Sequence, residues 1–229
     1  MKTMGIGERL QQVRTRIEQA QRQSGRAPGS VCLVAVSKTQ SADALIEAYR
    51  HGQRHFGENY LQEAIEKQSS LAHFRITWHF IGPVQSNKTR IIADRFSWVH
   101  SVDRLKIARR LNEQRPAELG PLNICVQINI DSESTKSGIA LEKLPELAAQ
   151  IADLPGLRFR GLMAIPKESD SAESTKASFR KISAAFEDLL AQGFPIDTLS
   201  MGMSGDLETA IAEGSTLVRI GTSIFGPRR

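Results

Sequence analysis

The chain has 229 residues, enough for one well-buried core and short for two independent domains. Charged residues make up 24% and the hydrophobic set 40%, the balance of a globular protein and not of a disordered one. A net charge of +5 and a pI near 9.4 suit an anionic ligand, but so small an excess is ordinarily a solvated surface and argues against nucleic-acid binding as the main role.

The two cysteines, Cys32 and Cys125, sit in apolar runs, form no CxxC pair and build no disulfide framework, which points to a reducing compartment. The N-terminus is amphipathic but contains acids and lacks a continuous apolar stretch, so it does not read as a signal peptide. No window approaches the run of about 18 apolar residues that a membrane span needs. A cytoplasmic protein is expected.

Ile6, Leu10, Val13, Ile17 and Ala20 predict an opening helix, within residues 1–25, that packs on whatever follows. After the Gly/Pro-rich break SGRAPGS, VCLVAVSK reads as a buried parallel strand. Ser41 can cap the next helix, whose Leu45, Ile46 and Tyr49 share a face and which Gly52 ends. RHFGEN predicts a second strand and YLQEAIEKQSS a helix. TWHFIG and FSWVHSV predict the third and fourth strands, separated by residues 85–95. DRLKIARRLNEQ predicts a helix stopped by Pro116. In NICVQINI, the clearest strand, Ile124, Val126, Ile128 and Ile130 would meet the helices, and Cys125, Gln127 and Asn129 the interior. LEKLPELAAQIADL is helical, with Pro145 a candidate for its true first turn. RFRGLMAI predicts a strand, PKESDSAEST a loop, and Phe179, Ile182, Phe186 and Leu189 a strong helix. DTLSMG and TLVRIG are the last strands, with GDLETAIAEG as the helix between them.

About eight βα alternations with no linker predict a parallel sheet covered by helices. A closed barrel and an open doubly wound sheet both fit this length; the strand count favours a single-domain (β/α)8 TIM barrel over residues 1–229.

Lys38 ends the first strand on the face of Val36, Val34 and Cys32, at the barrel mouth where catalytic groups gather. Partial burial of an amine favours the neutral form that attacks an aldehyde. On position alone, a lysine snorkelling out of the rim reads equally well. SMGMSGDLETAIAEGSTLVRIGTSIFG supplies two anion cradles: Ser204 and Gly205 at a predicted helix start, and Gly221 and Thr222 after the last strand. Asp206 and Glu208 oppose the first electrostatically. Arg219, two residues before Gly221, would point its charge into the mouth.

Other motifs read as structural. GPVQSNKT lacks the second glycine of a nucleotide-binding loop and carries Pro83, which removes a backbone donor. His51 and His55 are divided by a predicted helix end, and no metal site is expected. His79 reads as a core histidine unless a ligand occupies the mouth. The loop at residues 131–138, with Lys136, is most simply a surface loop.

AVSKTQ, HFGENYLQEA, WHFIGPVQSNK, SVDRL, KSGI, GLMAIP, LSMGMSGDLETAI and VRIGTSIFG occur in the order found in the pyridoxal phosphate homeostasis protein family, so residues 31–227 resemble that family. Val84, where leucine is frequent, is a conservative departure. The resemblance implies a single alanine-racemase-like barrel of the fold-type III group with pyridoxal 5′-phosphate as cofactor. It implies that Lys38 forms the internal aldimine and that Ser204, Gly205, Gly221 and Thr222 surround the phosphate. It implies further that Arg219 meets the pyridine nitrogen and that Asn59, His79 and Met201 line the pocket. An arginine beside that nitrogen weakens the ring as an electron sink. Racemases of this barrel type add a second domain bearing a basic tyrosine. Here the chain stops eight residues after Gly221, and Tyr49 and Tyr60 fall in predicted helices. The expected role is a carrier or buffer that holds the cofactor as an exchangeable Schiff base and releases it to acceptor enzymes. A weak amino-acid racemase is the alternative; a cofactor-independent Schiff-base enzyme acting on a sugar phosphate is a further rival.

Overall fold

Leu10, Val13, Ile17 and Ala20 recur at three- and four-residue steps, the stripe that a surface helix buries. In the computed structural model, which describes residues 4–131, 137–167 and 171–227, all four are buried on α1 (Ile6–Gln23). The strands are β1 (Cys32–Val36), β2 (His55–Glu58), β3 (Thr77–Phe80), β4 (Trp98–Val102), β5 (Leu122–Ile128), β6 (Leu157–Ala164), β7 (Thr198–Ser200) and β8 (Leu217–Ile220). Each pairs in parallel with its neighbour in chain order, and β8 closes on β1 through Cys32–Leu217 and Val34–Arg219. Closure excludes the open sheet. The fold is a (β/α)8 TIM barrel.

Around it lie α2 (Ala42–Arg50), α3 (Leu61–Ser70), α4 (Thr89–Arg95), α5 (Leu105–Gln114), α6 (Leu144–Ala152), α7 (Ala172–Ala191), α8 (Leu207–Ala212) and α9 (Thr222–Phe225). Local chemistry places most of the boundaries. Ser41 accepts the Ala44 N–H at 3.3 Å and so caps α2. Pro145 occupies the first turn of α6, after a 3-10 turn at Leu141–Lys143. Two helices are not legible in the sequence. The seven-residue α4 buries only Thr89, Ile92 and Ala93, too few for a periodic signal, and α9 is a single turn.

The apolar core lies mainly between barrel and helices. Ile124, Val126 and Ile128 of β5 share it with Phe179, Ile182, Phe186 and Leu189 of α7, each buried side chain stabilising the fold by about 1.5–3 kcal/mol. Val34, Cys125 and Met163 are fully buried yet stand outside that cluster, on the inner face of the barrel. The division follows from strand alternation. The β5–β6 ladder shifts register between Ile124 and Cys125, and Gly161, opposite Cys125, has φ 139°. A Cβ there would collide with the Thr198 carbonyl oxygen on β7. Gly161→Ala is expected to destabilise by about 2 kcal/mol or more, read as a lower urea midpoint at unchanged m; an unchanged midpoint would contradict the constraint.

Candidate functional site at the barrel mouth

Parallel closure gathers the C-terminal ends of all the strands at one mouth, where a cavity of about 450 Å³ opens. Lys38 reaches it from the end of β1 and Asn59 from beyond β2. Arg219 comes from β8, and Ser204, Gly205, Gly221 and Thr222 from the loops after β7 and β8. Ile81, Ile165 and Met203 add apolar wall. Alternation makes Ile81 legible, since it stands two residues above His79 on the same face.

Lys38 is half-buried, and the backbone on both sides of it is clamped. Lys67 of α3 donates to the Ser37 carbonyl at 2.6 Å, to Glu58 Oε1 at 2.8 Å and to Glu63 Oε1 at 2.5 Å. Ser37 Oγ donates to Glu58 Oε1 at 2.6 Å, and Thr39 N–H to Glu63 Oε1 at 2.5 Å. Thr39 has φ 64°, a left-handed conformation that a β-branched residue adopts only when its surroundings enforce it. Burial pushes the Glu58 carboxyl up, while Lys67 and Ser37 pull it back. The Glu63–Lys67 spacing is visible in sequence as an i,i+4 pair; the third partner, Glu58, is not.

Arg219 is 4% exposed. It donates through Nη1 to the Ser200 carbonyl and Oγ, both at 2.7 Å, and through Nη2 to the Ala164 carbonyl at 2.9 Å. Burial lowers it to about 10, so it remains a cation at neutral pH.

The loop after β7 departs from the expected helix start. Asp206 Oδ1 accepts the Met203 N–H at 2.5 Å, so α8 begins at Leu207 and Ser204–Gly205 form the turn before it. A Cβ on Gly205 would meet nothing within 4 Å, which leaves open space beside that backbone. Ser204 Oγ accepts the Ser223 N–H at 3.3 Å and so joins this turn to the start of α9. The charge objection weakens as well. Arg16 of α1 holds Glu208 at 2.7 and 2.9 Å, keeps its carboxyl below the usual range and reaches the Ser204 carbonyl at 3.1 Å.

Two expected pocket residues are not in the cavity wall. His79 is fully buried a layer below, hydrogen-bonded on both ring nitrogens to other histidines. Met201 packs into the core outside the barrel, because neighbouring Ser200 takes the inward face of β7. His51 caps the end of α2 whereas His55 opens β2, so the pair shares no helical face. The near-miss nucleotide loop is tied up internally: Thr89 Oγ1 donates to the Ser86 carbonyl, as does Arg110 Nε. A Cβ on Gly82 would strike the Asn59 carbonyl, which accounts for that glycine. Lys136 lies outside the described residues.

Residues 9–229 match the family model for the alanine racemase N-terminal domain. The chain is 56% identical over 223 residues to the pyridoxal phosphate homeostasis protein of Pseudomonas aeruginosa, covering 97% of this chain and 96% of that one. It is 54% identical over 227 residues to the protein of the same name from Escherichia coli K12, covering 97% of each. PipY of Synechococcus elongatus, solved with pyridoxal phosphate bound, superposes with a TM-score of 0.85 at 38% identity, covering 96% of this chain and 100% of that one. The architecture is thus that of the alanine-racemase barrel. Within that class, the chain belongs to the pyridoxal phosphate homeostasis protein family.

Lys67→Met would leave the Glu58 carboxylate buried without its ion pair and is expected to cost about 3–5 kcal/mol, most of which Glu58→Gln in the same chain should return; equal urea midpoints for wild type and Lys67→Met would refute the clamp. A second expectation concerns acid. Burial depresses His55, His79 and His100, the last to about 3, whereas an unfolded histidine titrates near 6.5. Below about pH 6.5 the unfolded chain therefore binds more protons. The stability these rings contribute is whole above that pH and falls as pH drops toward 3, by about 1.4 kcal/mol per unit for each ring still neutral. A stability by urea titration that stays flat from pH 7 to about 5 would contradict this.

Proposed function

We propose that the chain binds pyridoxal 5′-phosphate at the C-terminal mouth, holds it as an exchangeable Schiff base on Lys38, and serves as a carrier or buffer that yields the cofactor to acceptor enzymes. One observation carries the reading: an amine, a buried cation and two glycine-containing turns converge on a single cavity. The residues fit the group. Gly205 leaves open space beside its backbone, and Gly221 and Thr222 bring the opening turn of α9, whose first N–H groups have no intrahelical acceptor, to the same wall. Asn59 Oδ1 is buried with no hydrogen-bond partner, an acceptor available to a polar ligand. The names of the curated relatives and the ligand in PipY support the same assignment.

When bound, the cofactor supplies an aldehyde electrophile and a conjugated ring. Lys38 supplies the nucleophilic amine, and the clamp on Ser37 and Thr39 fixes where its side chain leaves the backbone. Arg219 can only donate; set against the ring nitrogen it disfavours protonation there and so favours holding over carbanion chemistry. Tyr49 is on α2, Tyr60 precedes α3, and neither lines the cavity, so neither is positioned as the second base of a racemase.

The functional unit is the whole chain, 1–229, as one barrel domain with its N-terminal helix packed on it. Its setting is the cytoplasm, consistent with the unpaired Cys32 and Cys125. Among the described residues no helix is long and apolar enough to cross a membrane.

The purified protein is expected to be yellow, and borohydride should fix the cofactor mass onto Lys38. Lys38→Ala should lose the visible band while its unfolding free energy stays within about 0.5 kcal/mol of wild type. Retention of the band would assign the wrong lysine. Robust conversion of a single amino-acid enantiomer into its mirror image would replace the carrier with the racemase.

A further inference from the structure

Beneath the cavity, a line of polar atoms crosses the barrel interior. Ser200 Oγ lies 2.7 Å from Arg219 Nη1 and 2.9 Å from His100 Nδ1. His100 Nε2 is 2.9 Å from His79 Nδ1, and His79 Nε2 is 3.0 Å from His55 Nδ1. His79, His100, Ser200 and Arg219 are each the third residue of their strands, whereas His55 is the first of β2. The line therefore descends from the cavity to the opposite mouth. There His55 and His79 border a second cavity, of about 230 Å³, together with Cys32, Trp98 and Arg160.

The direction of this line is fixed from one end. A guanidinium has donors and no acceptor, so Arg219 must donate to Ser200 Oγ. The hydroxyl has a single hydrogen, and His100 Nδ1 is the acceptor in reach. Turning that hydrogen elsewhere would leave it unpaired in a fully buried layer. His100 then carries its own hydrogen on Nε2 and donates to His79 Nδ1. The same logic puts the His79 hydrogen on Nε2, donating to His55 Nδ1, and the His55 hydrogen on Nε2, toward the second cavity. Adding a proton to His79 would set its Nδ1–H against the His100 Nε2–H, and adding one to His100 would set an N–H against the Ser200 O–H. The depressed values of all three rings agree with this. Trp98 stacks on His79 at 5.4 Å between centroids and 16° between planes, with Arg160 4.6 Å from the indole centroid, so the inner ring is held from the side as well.

We infer that His100 and His79 are positioning residues for Arg219, acting through Ser200 in a one-way donor chain that fixes all three histidines in the Nε2–H tautomer. Ser200 takes both Nη1 hydrogens, one on its carbonyl and one on its hydroxyl, and Ala164 takes one of the Nη2 pair. The plane of the fork is thereby set, and the Nε–H and the second Nη2–H are the donors left for the cavity that Arg219 lines. Only the effect on cofactor binding rests on the proposed function; the tautomers do not.

The test uses the full-length chain labelled with ¹⁵N-histidine, without added cofactor, near pH 7.5, with resonances assigned by single His→Gln variants. Long-range ¹H–¹⁵N correlation should find His55, His79 and His100 all neutral with the proton on Nε2. An Nδ1–H tautomer or an imidazolium at any of the three overturns the chain. Pyridoxal phosphate affinity is then measured for two variants. His100→Asn keeps an acceptor near the Nδ1 position and should bind within about threefold of wild type. His100→Leu removes it and should bind about tenfold more weakly, with a shifted visible band. Equal affinity for His100→Leu and wild type overturns the positioning role, even if the tautomers are as expected. A wild-type chain that binds no pyridoxal phosphate overturns the cofactor reading and the positioning role together, while the NMR result still decides the donor chain.

Discussion

A guanidinium enclosed by a barrel must be solvated by the barrel itself, and Arg219 draws on strand ends for that purpose. Ala164 and Ser200 are the last residues of β6 and β7, where a carbonyl is leaving the ladder and needs a partner. Charge-assisted bonds to those two carbonyls and one hydroxyl keep the cation buried; among the described residues no carboxylate pairs with it directly, although Asp206 favours the charge from farther off. The same bonds dictate the polarity of the layer below. A strict donor at the top makes every group beneath it an acceptor toward the cavity and a donor away from it, so the barrel interior is polar in a single sense.

The helices make this interior affordable by burying their apolar faces on the outside of the sheet. Nearly all the apolar core lies between sheet and helices, which leaves the inside to Val34, Cys125, Met163 and Leu217 and the histidine layer. The N-terminal helix has a second task. Arg9 Nε donates to the Ile224 carbonyl at 2.7 Å, and Arg16 reaches the Ser204 carbonyl at 3.1 Å, so α1 braces from outside both turns that frame the cavity. That same Arg16 pairs with Glu208, so the acidic residue in the first turn of α8 is balanced by a cation.

Around Lys38 the constraint is covalent geometry held by charge. Thr39 occupies a conformation costing on the order of 1–3 kcal/mol, and Glu63 accepts its N–H from across the loop. Lys67 bonds that carboxylate, the Glu58 carboxylate and the Ser37 carbonyl, so one cation ties α3 to the ends of β1 and β2. Such a buried cluster adds little net stability against a hydrophobic replacement, but it fixes one geometry. Lys38 thereby leaves a backbone whose direction is set before any ligand arrives.

Much of this is legible in the sequence. The β-branched runs gave the strands, the stripe through Phe179, Ile182, Phe186 and Leu189 gave the longest helix, and two-residue alternation put Lys38 and Arg219 on the inner face. Both patterns are local, and burial on one face leaves a periodic trace in the chain. Single turns such as α9, and the short α4, leave no such trace. Alternation likewise does not say at what height along the barrel a residue sits: His79 reads as a core histidine, the family resemblance puts it in the pocket, and closure leaves it buried one layer below the cavity. The partnerships of Glu58 with Lys67, Arg16 with Glu208 and Ser200 with His100 join residues 9, 192 and 100 positions apart. Sequence determined which groups are present and which way each faces; only closure of the sheet decided which of them meet, because a hydrogen bond depends on distance in space and not along the chain.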